Sequence, residues 1–253
     1  MVFIQAFILG IIQGLTEFLP VSSSAHLILI PSFLGWPEHT LFFDTSLHLG
    51  TALAVLIYFA KDWVKLIKDR KFLLKLLIGV FPAGIIGFLF DGFVEKNLRS
   101  TSVILITLII GTAVMFLSEK ILNRAKFLKK EISLKDSLFI GSMQVLALFP
   151  GMSRSGMTVS GGFFRKIEKE EALKFSFYLA TPLIFAAAFY NFAKSYILYG
   201  NLEFLDGGFA VGFLTSFAVG LFAIKFMIEY IRRKGFGVFI AYRLFLVLLI
   251  LFL

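Results

Sequence analysis

Six polar side chains that could handle a phosphate group fall within fourteen residues near the start of the chain. They are Gln13, Glu17, Ser22, Ser23, Ser24 and His26. A carboxylate in so apolar a segment is costly unless it is paired or hydrated, so Glu17 is a candidate functional residue. Gln13 shares a helix face with Glu17 at positions i and i+4. The serines follow Pro20 and suit the N-terminal cap of a second helix, whose free N–H groups would face the same space.

His26 lies three residues after Ser23 and four after Ser22, so its ring is expected to reach either hydroxyl along the helix. The alternative is that the serines only cap the helix and that His26 lies at the membrane interface.

A second polar cluster contains a single cation, Arg154. It is formed by Pro150, Gly151, Met152, Ser153, Arg154, Ser155, Gly156, Met157 and Thr158. Hydroxyl residues again begin a helix here, and arginine offers a planar fork that suits phosphate oxygens. The two clusters together contain the residue types needed to bind and hydrolyse a phosphate ester or anhydride. The sequence leaves two alternatives open for Arg154, which are a topological anchor and a partner of Glu17.

The composition places these clusters in a membrane. Of the 253 residues, 58% are hydrophobic and 16% are charged, against about 25% charged in soluble domains. This excludes a water-soluble globule, a disordered chain and a fibrous chain. The absence of cysteine excludes a disulfide scaffold, a thiolate metal site and a thiol enzyme.

The net charge of +9 comes from cations that are concentrated in four clusters, at 61–75, 120–135, 165–174 and 225–234. By the positive-inside rule these clusters mark the cytoplasmic face and place segments 35–43, 92–100 and 195–206 outside. Nucleic acid is therefore not needed to explain the charge.

Apolar runs between the cation clusters predict six transmembrane helices, because a span needs about 20 residues. The runs cover 45–60, 76–90, 100–118, 175–193, 207–224 and 235–253. Two further apolar stretches, 1–34 and 136–164, are broken at Pro20 and Pro150, and each must enter and leave on the same side. We therefore predict an all-α, polytopic membrane protein with six transmembrane helices and two re-entrant helical hairpins.

Residue matches at nearly constant spacing predict an internal repeat. Gly10 and Gln13 match Gly141 and Gln144, Leu19-Pro20 matches Phe149-Pro150, and Gly79 and Gly87 match Gly212 and Gly220. Repeat one covers about 1–118, with its hairpin at 1–34, and repeat two about 134–253, with its hairpin at 136–164. Each repeat has three spans, an odd number, so the repeats are inverted and the hairpin tips meet near the membrane centre. The alternative is chance similarity between apolar segments.

The segments from Gln13 to His26 and from Pro150 to Gly156 resemble the two signature motifs of the undecaprenyl-diphosphate phosphatase family, of the bacitracin-resistance type. The resemblance extends over essentially the whole chain. It implies a bacterial cell-membrane enzyme that removes the terminal phosphate of undecaprenyl diphosphate, recycles the lipid carrier for peptidoglycan synthesis, and has an active site facing outward. It also implies functional roles for Gln13, Glu17, Ser23, His26 and Arg154. Gln13 leaves one carboxylate where other members have two, which weakens metal binding by the protein alone.

The mechanism that follows is a hypothesis. Arg154 and the N–H groups of the tips hold the diphosphate, while Glu17 and Gln13 hold a divalent cation, Mg²⁺ with Ca²⁺ as the alternative. Ser23 attacks the terminal phosphorus and His26 exchanges the proton. Further substrate contacts are expected from Gln13, Ser22, Ser24, Ser153, Ser155 and Thr158. In the alternative mechanism a water held by the cation attacks and Ser23 only positions the phosphate.

Four residues outside the motifs carry weaker expectations. An interfacial position is favoured for His48, with a place in the cavity as the alternative, and Arg243 is expected to pair or to snorkel. Pro82 and Pro182 are expected to kink their helices and leave room for a prenyl chain.

A lipid-phosphate transporter or flippase is the rival function, since inverted repeats with broken helices are also transporter architecture. The expected partners are a polyprenyl diphosphate and membrane lipids, without nucleic acid, and the oligomeric state is open, a homodimer included.

Overall fold

The computed structural model describes residues 2–37, 39–199 and 207–252, and these residues form eleven α-helices and no β-strand. The helices are α1 (Phe3–Thr16), α2 (Ser23–Phe33), α3 (Leu41–Tyr58), α4 (Ala60–Leu66), α5 (Arg70–Asn97), α6 (Thr101–Asn123), α7 (Leu134–Val145), α8 (Arg154–Phe164), α9 (Lys169–Tyr199), α10 (Gly207–Arg233) and α11 (Gly237–Leu251). A 3₁₀ turn covers Leu146–Leu148. The predicted all-α fold is confirmed.

Four helices in the described ranges are long and apolar enough to cross a membrane, namely α5, α6, α9 and α10. α3 and α4 would together make a fifth span, but the chain bends by 76° between them. α11 has 15 residues, and its length of about 22 Å is less than the ~30 Å of a hydrocarbon core. The multi-pass membrane architecture is therefore supported by four or five spans, and the count of six stays a prediction.

Both segments predicted to be hairpins are interrupted around their prolines. α1 ends at Thr16 and α2 begins at Ser23, while α7 ends at Val145 and α8 begins at Arg154. Ser22 and Ser153, the caps of α2 and α8, have positive φ angles of 75° and 72°. Positive φ is uncommon outside glycine, so the two breaks share an unusual backbone turn at matching positions. A re-entrant path through the membrane stays a prediction.

The two breaks are bound directly to each other. The Gly151 N–H donates to Ser22 Oγ at 3.1 Å, and Ser155 Oγ donates to the Leu19 carbonyl oxygen at 3.2 Å. The first bond joins the second break to the cap of α2, and the other joins the start of α8 to the first break. Residues more than 125 positions apart are thereby held in one place.

The first helix of each predicted repeat packs on a long helix of the other repeat. α1 lies against α10, and α7 lies against α5. Glycines permit both approaches, because a Cβ on Gly10 would lie 3.0 Å from the Gly212 carbonyl oxygen, and one on Gly141 would overlap the Gly79 backbone. These four glycines are matched pairs in the proposed repeat. The reciprocal packing supports the inverted repeat of 1–118 and 134–253, which remains a prediction.

α5 lies at the periphery and α9 nearer the centre of the molecule. A much larger fraction of the residues in the apolar stretch of α9 is buried than in that of α5. Large apolar side chains of α5, Leu77, Phe81, Phe88 and Leu89, are exposed. In a membrane this apolar face of α5 would contact the hydrocarbon chains of lipids instead of water.

The buried carboxylate of Asp136 caps the start of α7 and binds a cluster of polar side chains. Its carboxylate accepts hydrogen bonds from Lys129 Nζ at 2.8 Å, from Arg165 Nε at 2.6 Å and from Ser133, with which it forms a capping box. Burial raises the pKa of Asp136, but the hydrogen bonds from Lys129, Ser133 and Arg165 outweigh burial and hold the pKa well below its ordinary value. The cluster fixes the start of α7 to the end of α8.

Replacing Gly141 by alanine is expected to destabilise the protein, because the new methyl group would overlap the Gly79 backbone. Overpacking of this kind costs about 1–3 kcal/mol. Gly92→Ala on α5 is the matched control, since nothing lies within 4 Å of its Cβ position and alanine favours a helix by about 1 kcal/mol over glycine. Thermal unfolding of both variants in detergent measures the difference. Equal melting temperatures would contradict the close packing of α7 on α5.

Asp136→Asn is expected to lower the melting temperature at neutral pH, because the buried cluster loses its negative charge. With a depressed folded pKa, the stabilisation is fully present above the unfolded value of about 3.9 and is lost as the pH falls through the folded value. The difference in melting temperature between wild type and variant should therefore shrink only below about pH 4. Glu131→Gln removes an exposed carboxylate nearby as the control. A difference that stays constant at low pH would show that ionisation of Asp136 is unimportant.

Candidate active site

Glu17 is the centre of a buried network that joins the two breaks. Its side chain is 5% exposed. Oε1 accepts a hydrogen bond from Arg154 Nη2 at 2.6 Å, and Oε2 accepts one from Ser23 Oγ at 2.8 Å. Ser23 is the first residue of α2 and Arg154 the first of α8, so each partner comes from a helix start next to a break. Arg154 is therefore the partner of Glu17, which was one of the alternatives that the sequence left open.

Gln13 and His48 extend this network toward α3. Gln13 Nε2 donates to Glu17 Oε2 at 3.0 Å and lies 2.9 Å from His48 Nδ1. With the opposite amide orientation, Gln13 Oε1 would face the carboxylate, so the nitrogen belongs on this side. An amide nitrogen offers only hydrogens, so His48 Nδ1 accepts, and a neutral His48 ring carries its proton on Nε2. His48 also lines the cavity described below, which was the alternative that the sequence left open.

The ring of His26 is directed away from the predicted serine hydroxyls. Nδ1 lies 2.7 Å from the carbonyl oxygen of Ser22, and Nε2 lies 2.6 Å from the hydroxyl of Tyr242 on α11. A ring nitrogen beside a carbonyl oxygen must donate, so a neutral His26 accepts from Tyr242. The prediction that His26 bonds a serine hydroxyl is therefore wrong in the described structure. Tyr242 is separated from His26 by 216 positions, and the sequence carried no signal for this pair.

Four of the predicted hydroxyl ligands are bonded to backbone groups. Ser22 Oγ accepts from the N–H groups of Ala25 and Gly151, Ser153 Oγ accepts from Gly156, Ser155 Oγ donates to Leu19, and Thr158 Oγ1 donates to Arg154. All four side chains are buried. Their geometry fits capping and tip holding better than the substrate contact predicted for them. Ser24, by contrast, is partly exposed and lines a cavity.

Arg243 on α11 holds both breaks and is fully buried. Nη2 donates to the carbonyl oxygen of Gly151 at 2.8 Å and to that of Leu108 at 3.0 Å. Nε donates to Thr112 Oγ1 at 2.8 Å, and Nη1 donates to the Pro20 carbonyl oxygen at 3.5 Å.

These contacts correct the expectation that Arg243 would pair or snorkel. Among the described residues no carboxylate lies within ion-pair distance of it, and its partners are neutral oxygens. The sequence signal was present, since Arg243 is the lone charge in the apolar run 235–253. The backbone acceptors have no signature of their own, so the partners could not be read from the sequence.

A cavity of about 590 Å³ lies beside the network. Ser24 and His48 line it, and His48 belongs to the Glu17 network. Its walls come mainly from α5 and α9, directly after Pro82 and Pro182, and include Ala83, Gly84, Gly87, Phe88, Leu183, Ile184 and Ala187. Asp44, Asp91 and Arg99 also line it, and Arg99 Nη2 lies 3.3 Å from Asp44 Oδ2. The cavity is thus lined mainly by apolar side chains, has charged groups in its lining, and adjoins the Glu17 network at His48.

A divalent cation beside Glu17 would find few protein ligands. No group of three or more His, Cys, Asp or Glu side chains that could hold a metal occurs in the described ranges. Both Glu17 oxygens bond other residues, but Gln13 Oε1 is buried with no hydrogen-bond partner among the described residues. An amide oxygen and a carboxylate are suitable ligands for a hard cation. Glu17 and Gln13 would form a partial site once the Gln13 amide turns its oxygen toward Glu17, and further oxygens must come from water or substrate.

Comparison with known proteins covers almost the whole chain. Residues 6–249 match the family model described as bacitracin resistance protein BacA. An undecaprenyl-diphosphatase of Thermodesulfovibrio yellowstonii is 40% identical over 252 residues, which is 98% of this chain and 96% of the relative. One from Caldicellulosiruptor bescii is 39% identical over 258 residues, with coverage of 98% and 96%. Undecaprenyl-diphosphatase 3 of Bacillus cereus is 41% identical over 253 residues, with coverage of 99% and 96%.

Arg243→Met is expected to destabilise the protein strongly, because the carbonyl oxygens of Pro20 and Gly151 lose their donor in a buried place. Each unsatisfied buried acceptor costs about 1–3 kcal/mol. Arg243→Lys keeps the charge and some of the bonds, and it should lose less. Arg232→Met at the exposed end of α10 is the control for loss of one cation. The measurement is thermal unfolding in detergent, and a wild-type melting temperature for Arg243→Met would show that the breaks do not depend on this residue.

Proposed function

The chain belongs to the BacA family of bacitracin resistance proteins, and we propose that it hydrolyses undecaprenyl diphosphate to undecaprenyl phosphate and inorganic phosphate at the Glu17 network. One observation carries the assignment of the site. Ser23, Glu17 and Arg154, which come from two separate breaks, are joined by hydrogen bonds of 2.8 and 2.6 Å. A hydroxyl, a carboxylate that can take its proton and a phosphate-binding cation are thus in contact.

The cavity beside the network suits the two parts of such a substrate. Its apolar walls on α5 and α9 suit the prenyl chain, and its lining at Ser24 and His48, beside the Glu17 network, suits the diphosphate. His48 Nε2–H is available as a donor in the tautomer set by Gln13. A diphosphate at this end competes with Glu17 Oε1 for Arg154, whose fork binds phosphate oxygens well. The N–H groups at the starts of α2 and α8 add attraction for the anion.

Ser23 is the nucleophile in this proposal and Glu17 is its base. Ser23 Oγ already donates to Glu17 Oε2, so the proton passes to that oxygen as Oγ bonds to the terminal phosphorus. The bond between this phosphorus and the bridging oxygen breaks, and undecaprenyl phosphate leaves with the electron pair. Water then attacks the phosphoserine, the P–Oγ bond breaks, and Glu17 returns its proton to Oγ. One proton of the water stays on the released hydrogen phosphate and the other is lost to solvent.

His26 positions α2 in this proposal, since its ring bonds Ser22 and Tyr242. Glu17 and Gln13 are the residues that would hold a divalent cation, Mg²⁺ or Ca²⁺. When bound, such a cation supplies neutralisation of charge on the diphosphate oxygens.

The proposed location is the bacterial cell membrane, with the site open to the outer side. Asp44 and Arg99 line the cavity. Asp44 directly follows segment 35–43 and Arg99 lies in segment 92–100, and the positive-inside rule places both segments outside. The cavity therefore extends toward the face that lacks the cation clusters. A homodimer stays a prediction.

Ser23→Ala is expected to lower kcat for phosphate release from undecaprenyl diphosphate by about 100-fold or more, the usual scale for loss of such a group. Phosphate release by the purified protein with and without Mg²⁺ is the assay. Acid quenching during turnover should trap phosphoserine in wild type and not in Ser23→Ala. Ser142→Ala removes an exposed hydroxyl on α7 and is the matched control, expected to keep wild-type turnover.

Two outcomes would contradict parts of this proposal. Near-full turnover by Ser23→Ala would favour water as the nucleophile, with Ser23 only positioning the phosphate. Absence of phosphate release above the level of Glu17→Ala and Arg154→Ala would remove the enzyme assignment and favour the lipid-phosphate transporter.

A further inference from the structure

A second cavity, of about 310 Å³, lies against the first part of α9, at 171–178, whereas the first cavity lies against α9 at 183–191. α4, the starts of α5 and α9, and the loop between α6 and α7 form it. Its charged lining residues are Asp62, Lys65, Lys75, Lys130, Glu171 and Lys174. These residues belong to three of the four cation clusters that mark the predicted cytoplasmic face. The clusters therefore do more than surround the membrane spans, because three of them meet around one space.

The cations of this cavity outnumber its carboxylates, and the carboxylates are already engaged. Glu171 Oε1 lies 3.6 Å from Lys174 Nζ, and Asp62 Oδ2 accepts from the hydroxyl of Tyr178 at 3.5 Å. In the described ranges, no carboxylate lies within 4.0 Å of the ammonium groups of Lys65, Lys75 and Lys130. Three lysines from three different elements thus line one cavity without an ion-pair partner, and the four cations of the cavity exceed its two carboxylates, an imbalance that an anion relieves.

The remaining walls of the cavity are apolar. They are formed by Leu66, Phe72, Ile132 and Phe175. Lysines that only set the orientation of the protein in the membrane need no more than solvation of their ammonium groups. That role does not require them to share a cavity with large apolar side chains. A ligand with an anionic head and an adjoining apolar part matches both kinds of wall. Basic pockets between helices on the cytoplasmic side are known binding places for lipid head groups.

We propose that this cavity binds the phosphate group of an anionic membrane lipid, with Lys65, Lys75 and Lys130 as its cationic partners. The lipid phosphate lies among the ammonium groups, and the first carbons of its chains lie against Phe72 and Ile132. The site is separate from the Glu17 network. Free phosphate shares the head-group chemistry, so the experiment must distinguish the two sources.

The test is native mass spectrometry of the full-length protein in detergent, titrated with dioleoyl phosphatidylglycerol or with dioleoyl phosphatidylcholine. Wild type is expected to retain the anionic lipid in preference to the zwitterionic one. Lys75→Gln/Lys130→Gln should bind phosphatidylglycerol about thirtyfold more weakly, since each lysine near an anionic surface contributes roughly fivefold. Lys120→Gln/Lys126→Gln loses the same charge from the same face outside the cavity, and it should bind as wild type does.

Several results would overturn the proposal. Equal weakening of phosphatidylglycerol binding in both double variants would show that binding depends only on the overall charge of the face. Equal retention of the two lipids by wild type would show that the protein does not prefer the anionic lipid. If inorganic phosphate raises the melting temperature of wild type and not of Lys75→Gln/Lys130→Gln, while phosphatidylglycerol does neither, the occupant is free phosphate. Should the first double variant fail to fold, Lys65→Gln/Lys130→Gln changes two exposed residues and tests the same cavity.

Discussion

A buried guanidinium without a carboxylate is the interaction on which the rest of the site depends. Removing a cation from water is costly, and Arg243 recovers that cost only through neutral oxygens on α6 and at both breaks. Backbone carbonyls at Pro20 and Gly151 are exposed to it because the helices are interrupted there. The interruptions thus create the acceptors that hold the cation, and the cation fixes the interruptions relative to each other. Together with the direct hydrogen bonds between the breaks, Arg243 holds them where Glu17 and Arg154 form a 2.6 Å pair.

The chemistry of the site follows from sharing between the two halves of the chain. The first break contributes the carboxylate and the hydroxyl, and the second contributes the guanidinium. Gln13 then orients His48 from a third helix, α3, and so joins the network to the cavity. A neutral amide in this place can donate to the carboxylate and to the imidazole at once, which a second carboxylate could not do. An amide at position 13 therefore gives a hydrogen-bond pattern around Glu17 that a second carboxylate would not give.

Much of the fold was predictable because its signals are local. Apolar runs between cations indicate helices, and Pro20 and Pro150 indicate breaks, so the all-α fold and the meeting of Gln13, Glu17, Ser23 and Arg154 could be expected. The bend after Tyr58 and the short length of α11 depend on packing and could not be expected from the sequence. The direction of the His26 ring depends on Tyr242, a partner 216 positions away, and the role of Arg243 depends on backbone oxygens. Side-chain direction and backbone acceptors leave no mark in a single sequence.

The exchange of arms between the two halves also bears on the order in which the protein is assembled. α7 packs on α5, which precedes it in the chain, whereas α1 packs on α10 and Pro20 is held from α11. During synthesis α5 is already present when α7 is made, whereas α1 and Pro20 precede their partners α10 and α11 by nearly the entire chain. Until α11 is made, the carbonyl oxygen of Pro20 lacks the guanidinium of Arg243, which holds the first break. The network of contacts around the site is therefore complete only once α11, which carries Tyr242 and Arg243, is in place.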